Sequence, residues 1–130
     1  MLYSILCYHS EKAVGAWTPA EDAATMERLG VVQKKLAQQG KLGPVLRLMP
    51  TTTATTLRKE QGPPVIVDGP FAETKEQLLG FYVVDCVSRE EVHEIARELA
   101  AANPGGALEI RPVAVINPHS DGMVPAARHG

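Results

Sequence analysis

Apolar and polar positions change period several times along the chain, and each change marks an element. Leu2 to Tyr8 is an unbroken run of strand-favouring residues and is read as a strand. Its alternation puts Leu2, Ser4, Leu6 and Tyr8 on one face and Tyr3, Ile5, Cys7 and His9 on the other. His9 to Trp17 is read as a loop. At Thr18-Pro19-Ala20-Glu21 a capping residue, a proline suited to the first helical position and the acid of a capping box coincide. Met26, Leu29, Val32 and Leu36 then recur at spacings of three and four, which predicts a helix over Pro19–Gln39, stopped at Gly40.

The second half repeats this order. Leu42 to Met49 is a strand weakened at its start by Gly43 and Pro44 and ended by Pro50. Ala54 to Lys59 and Val65 to Val67 are the arms of a hairpin around Glu60-Gln61-Gly62-Pro63. Leu78 to Cys86 is the most apolar stretch and is expected at the sheet centre, with Gly80 marking a bulge or a close approach by another group. Ser88 and Glu91 form a second capping pattern, and Val92, Ile95, Ala96 and Leu99 a second helical stripe, stopped at Asn103-Pro104-Gly105-Gly106. Leu108 to Ile116 is the last strand, and Pro112 within it argues for an edge or a bulge.

Two β-α-β halves joined by a hairpin predict a single α+β domain over 1–116, a ferredoxin-like sheet with two helices on one face. Residues 117–130 form a tail held only if a partner subunit holds it. Tyr3, Ile5, Phe81 and Val83 cannot all meet two helices. The excess of apolar strand surface therefore predicts a homodimer, two sheets meeting in a dimeric α/β barrel. On this strand order Cys7 and Cys86 lie near the ends of parallel, neighbouring strands, close in space but unlinked.

Composition narrows the functional classes. With 130 residues, 45% hydrophobic and 22% charged, the chain has the make-up of an ordinary globular domain. A net charge of −2 gives no basic face and argues against a nucleic-acid partner. No apolar run approaches a membrane span, and the N-terminus lacks the form of a signal peptide, so a cytoplasmic location with reduced thiols is expected. No P-loop, nucleophile elbow or dinucleotide fingerprint occurs, and no cofactor is called for.

The densest chemistry lies in Asp68-Gly69-Pro70-Phe71-Ala72-Glu73-Thr74-Lys75-Glu76. Asp68 is a candidate acid or base, or a turn-former bonded to nearby amides. Phe71 is a core plug or a pocket wall. Glu73 and Lys75 are candidate ligand contacts, or one patch of a solvated charge run. Trp17 either covers the core edge or walls a pocket. Of the four histidines, His9 alone could serve as a base near Asp68, if its strand face lines a cleft; otherwise it is a loop histidine in water. His93 falls on a helix, His119 and Asp121 are too few for a structural metal, and His129 is in the tail, so no metal site is assigned.

The stretch DGPFAETKEQLLGFYVVD resembles the signature of the DGPF group within the YCII-related family. Tyr3 to Tyr8, the TPAE helix start, Ala54 to Arg58 and Glu109-Ile110-Arg111-Pro112 fit the same layout, so the likeness covers roughly Met1 to Val115. The resemblance implies a dimeric ferredoxin-like barrel, often encoded near or fused to bacterial sigma factors, with no settled activity. Shorter relatives are suspected or known small-molecule enzymes that use an aspartate with a histidine on the first long helix. Here Pro19–Gln39 contains no histidine. Two readings follow. One is isomerase- or lyase-like acid–base chemistry on an unknown small molecule, with Asp68 central. The other is a ligand-binding or regulatory module in a sigma-factor system.

Overall fold

The computed structural model describes residues 1–59, 62–117 and 124–125. Strand β1 (Leu2–His9) leads into a short helix α1 (Glu11–Gly15) and a long one, α2 (Pro19–Gln38). Strand β2 (Leu42–Arg47) follows, then a single 3-10 turn (Thr51–Thr53) and the hairpin β3 (Thr55–Arg58) and β4 (Val65–Asp68). The chain continues through β5 (Gln77–Asp85), α3 (Arg89–Ala102), β6 (Ala107–Pro112) and the short β7 (Val115–Ile116) and β8 (Val124–Pro125).

The main sheet has the order β2-β5-β1-β6, with β1 and β5 inside and every neighbouring pair antiparallel. This is the α+β arrangement expected of two β-α-β halves, with β3 and β4 forming a separate two-stranded sheet. β7 pairs with β8, so part of the stretch beyond Ile116 folds back as a second small ladder. The rest of the expected tail beyond Asn117, with His119, Asp121 and His129, lies outside the described residues, as do Glu60 and Gln61 of the hairpin turn. Among the described residues no helix is long and apolar enough to cross a membrane.

The register explains how both strand faces can be apolar. Tyr3 pairs with Val84 and Ile5 with Tyr82, and these four sit in one cluster with Leu29 and Leu36 of α2 and Val92, Ile95 and Leu99 of α3. Phe81 and Val83, opposite Leu6 and Ser4, alternate to the other face. At 25 cal/mol per Å², each such buried aliphatic side chain contributes about 1.5–3 kcal/mol. Ile5 and Val84 are completely enclosed.

Local signals set the helix ends. Thr18 Oγ1 accepts from the Glu21 amide at 3.1 Å while Glu21 Oε1 accepts from the Thr18 amide at 3.0 Å, a complete capping box. The bond from the Thr18 amide, and then the Thr18 hydroxyl, hold the Glu21 carboxyl below its ordinary value. Ser88 caps α3 by accepting from the Glu91 amide at 3.2 Å. Gly40, at φ 69°, closes α2 in the left-handed region.

Three expectations are corrected. The stretch after His9 is not all loop: Ser10 Oγ accepts from the Ala13 amide at 3.2 Å and nucleates α1. Met26 is 44% exposed, and Thr25 takes the buried position in its place. Its hydroxyl donates to the Glu21 carbonyl at 3.0 Å, which lets a polar residue lie against the core. Finally, β1 and β5 are neighbours but antiparallel, so Cys7 and Cys86 lie far apart. Cys7 faces Gly80 across the strands, whereas the Cys86 amide donates to the Met1 carbonyl at 2.9 Å. Six strand residues of about 3.4 Å each separate those two levels, roughly 20 Å. Both thiols are free.

Candidate functional site

A cavity of about 430 Å³ opens between α2, the C-terminal end of α3 and the end of the sheet where β1 finishes. That is the size range of small-molecule sites. Its walls are largely apolar, from Leu29, Met26, Tyr82, Leu99 and Leu108. Polar groups enter from three sides: His9 at the end of β1, Asp22 and Gln33 on α2, and Arg47 at the end of β2.

Two of the residues singled out in the sequence meet here. The rings of His9 and Trp17 stand edge to face, centroids 6.4 Å apart and planes at 79°, and both line the cavity. His9 Nδ1 accepts a hydrogen bond from the Ser10 amide at 2.7 Å. The turn Gly105-Gly106 crosses the same ring. A β-carbon at Gly105 would come within 2.7 Å of His9 Nε2, and one at Gly106 within 2.1 Å of the Tyr8 carbonyl oxygen. At φ 97° and 74° these glycines provide the backbone that lets the loop run this close.

Asp68, Phe71, Glu73 and Lys75 do not line the cavity. Their loop is a backbone clasp. Gly69, at φ 104°, donates its amide to the Ala54 carbonyl at 2.8 Å and accepts from Thr56 Oγ1 at 2.8 Å. The Arg58 guanidinium lies 5.2 Å over the Phe71 ring and donates to the Phe71 carbonyl at 2.9 Å. Phe71 is 75% exposed and is no core plug. The Asp68 carboxylate is exposed and makes no hydrogen bond among the described residues, so the turn is held by the backbone around it. A second link joins the loop to the cavity rim. Gln77 donates to the Thr74 carbonyl at 2.6 Å and accepts from the Glu11 amide at 2.9 Å, while the Glu11 carboxylate accepts from the Thr51 amide at 2.7 Å.

The structure adds residues that sequence reasoning passed over. Arg47 donates to Asp22 through Nη2 at 3.1 Å and Nη1 at 3.5 Å, a fork across the cavity mouth. A signal existed: Arg47 is the one charged residue in the apolar run Leu42 to Met49. Cys7 lies in the wall, its thiol donating to the Ile5 carbonyl at 3.8 Å. Burial pushes that thiol up to about 11 from its ordinary 9.0, so it is no nucleophile near neutral pH. Burial, and then the neighbouring Glu91, push Cys86 to about 11 as well. Burial likewise raises the Tyr82 hydroxyl.

These shifts set a pH dependence. Between pH 9 and 11 the unfolded chain loses its thiol protons while the native chain keeps them, so stability falls as pH rises through that window. The urea midpoint is expected to be level up to about pH 9 and to drop above it. Cys7→Ala with Cys86→Ala should lessen the drop, and an unchanged slope in that double variant would contradict the assignment.

A small α+β domain with an apolar cavity and a few convergent polar groups is the class defined so far. A family model for the YCII-related domain matches residues 1–117. The chain belongs to the YCII-related family. It is 53% identical over 119 residues to a protein of Rhizobium meliloti (strain 1021) described as uncharacterised, covering 91% of this chain and 96% of that one.

Proposed function

We propose that this protein is a cytoplasmic homodimer whose cavity binds a small molecule and performs acid–base chemistry on it, of the isomerase or lyase kind, with His9 as the working group. The observation that carries this reading is the imidazole of His9 standing against Trp17 in an apolar cavity of about 430 Å³. An imidazole, a flat wall and an apolar floor together are what such chemistry needs. Asp68 takes part only if pairing of two subunits carries it to the partner's cavity. The apolar hairpin beside it supports that pairing, since Leu57, Val65, Ile66 and Val67 are all exposed. A ferredoxin-like dimeric barrel is the assembly that fits these surfaces.

The second reading, a non-enzymatic regulatory module in a sigma-factor setting, is favoured by the exposure of the Asp68 loop. Two variants separate the readings. Asp68→Asn is expected to leave the thermal midpoint unchanged, because its carboxylate is unbonded among the described residues. His9→Phe is expected to reduce the thermal shift produced by ligands drawn from a library of small metabolites. Wild-type protein that shows no ligand-induced shift across such a library would favour the regulatory module.

A further inference from the structure

The cavity holds an asymmetry in hydrogen-bonding capacity. The Ser10 amide, 2.7 Å from His9 Nδ1, is a donor and has no lone pair to offer in return. A proton on Nδ1 would point at that N–H, so the neutral ring carries its proton on Nε2. Nε2 has no hydrogen-bond partner among the described residues and lies beside Gly105, where a β-carbon would come within 2.7 Å of it; both residues line the cavity. A side chain at position 105 would fill that space.

The other polar groups tilt the same way. Asp22 is engaged by Arg47, and the Thr25 hydroxyl accepts from Arg28 Nη2 at 3.1 Å. Among the described residues Asn103 Oδ1 is sealed from solvent and has no hydrogen-bond partner, the one acceptor of the lining that runs against this tilt. The Gln33 amide serves either way. Arg47, with five N–H donors and only one carboxylate, has donors to spare. Its pair with Asp22 is exposed, so little free energy resists a change of partner. Two donors, one a ring N–H and one a cation, thus face an apolar space.

Resting on the cavity reading above, we propose that His9 is locked as an Nε2–H donor, and that the ligand is an apolar-bodied carboxylate or carbonyl compound. Its acceptor oxygens meet His9 Nε2–H and Arg47. In that role His9 donates a hydrogen bond to an oxygen of the ligand and keeps its proton, and abstraction of a ligand proton by its Nδ1 is blocked by Ser10.

The test is nitrogen NMR on the full chain labelled at histidine, in mildly alkaline buffer, with His9→Phe identifying the His9 signals. One protonated nitrogen, coupled to both ring carbon-bound protons, marks Nε2–H and is the expected result. Benzoate and benzylamine are then titrated as matched probes, acceptor against donor. Benzoate is expected to perturb His9 and Trp17 saturably, benzylamine not, and His9→Phe should weaken benzoate roughly tenfold, the loss of one charge-assisted hydrogen bond. An Nδ1–H tautomer, or preference for benzylamine, would overturn the donor assignment and leave the cavity reading standing. Saturable binding of neither probe overturns both.

Discussion

In solution the wild-type chain is expected to scatter light as a particle of twice its 14.0 kDa mass, and the double variant Leu57→Lys, Ile66→Glu as a monomer. Leu57 and Ile66 face each other across β3 and β4, and they are 53% and 69% exposed in the single chain. A cross-strand pair of large aliphatic groups on an outlying hairpin gains nothing from its own fold. In the proposed dimer the second chain supplies the surface that buries it. Opposite charges at the two positions keep an attraction across the hairpin, so the monomer should stay folded. If both residues are hot spots at about 2 kcal/mol each, association weakens roughly thousandfold. A wild-type monomer at micromolar concentration would refute the assembly. A double variant that remains dimeric would move the interface elsewhere.

Gly80→Ala is the second large effect. Gly80 lies in β5, opposite Arg47 of β2 and Cys7 of β1. A β-carbon there would stand 2.2 Å from the Leu46 carbonyl oxygen and 3.1 Å from the Arg47 Cα. Both are backbone atoms of the adjoining strand, so relief requires the two strands to part, at a cost of roughly 1–3 kcal/mol or more. The same displacement moves Arg47, so loss of stability should come with loss of affinity for anionic ligands. Gly30, within α2, is the control: a β-carbon there meets nothing within 4 Å. Gly30→Ala should raise stability by about 1 kcal/mol, the difference in helix propensity. Equal behaviour of the two variants in urea unfolding would contradict the close approach at Gly80.

Gly80 also shows what the sequence makes legible. A glycine in the middle of an apolar strand predicts a bulge or a close neighbour, and both occur: the β1–β5 register shifts between Cys7 and Tyr8, and the Leu46 carbonyl presses in. The long helices were legible because cap, proline and stripe agree at one place, as they do at Thr18 and Pro19. Pro112 marked an edge strand because it cannot donate to a ladder, and β6 is that edge. The short helix after Ser10 was not legible, because five residues carry no apolar period and a single serine cap starts them.

The candidate site was legible only by halves. His9 and Trp17 meet because both ends of the Ser10–Ala16 connection are short, and the pattern of the strand and of the helix fixed where those ends fall. Of their partners, Asp22 follows on the next helix, but Arg47 and Gly105-Gly106 come from two distant segments, and one chain read without its pairings cannot bring them together. The motif at Asp68 drew attention because it gathers charged and aromatic residues. In the fold those side chains point outward while the backbone makes the bonds.

Trp17 is the one tryptophan in the chain, and it stands in the wall of the cavity rather than in the core beneath the helices. The intrinsic emission of this protein is therefore a local gauge. It reports the polarity and occupancy of a single wall, undiluted by indoles elsewhere, and it does so in the unmodified chain. Exclusion of water from that wall shifts the spectrum to the blue, and a ligand in contact with the indole changes its intensity, so filling of the site can be followed by light alone.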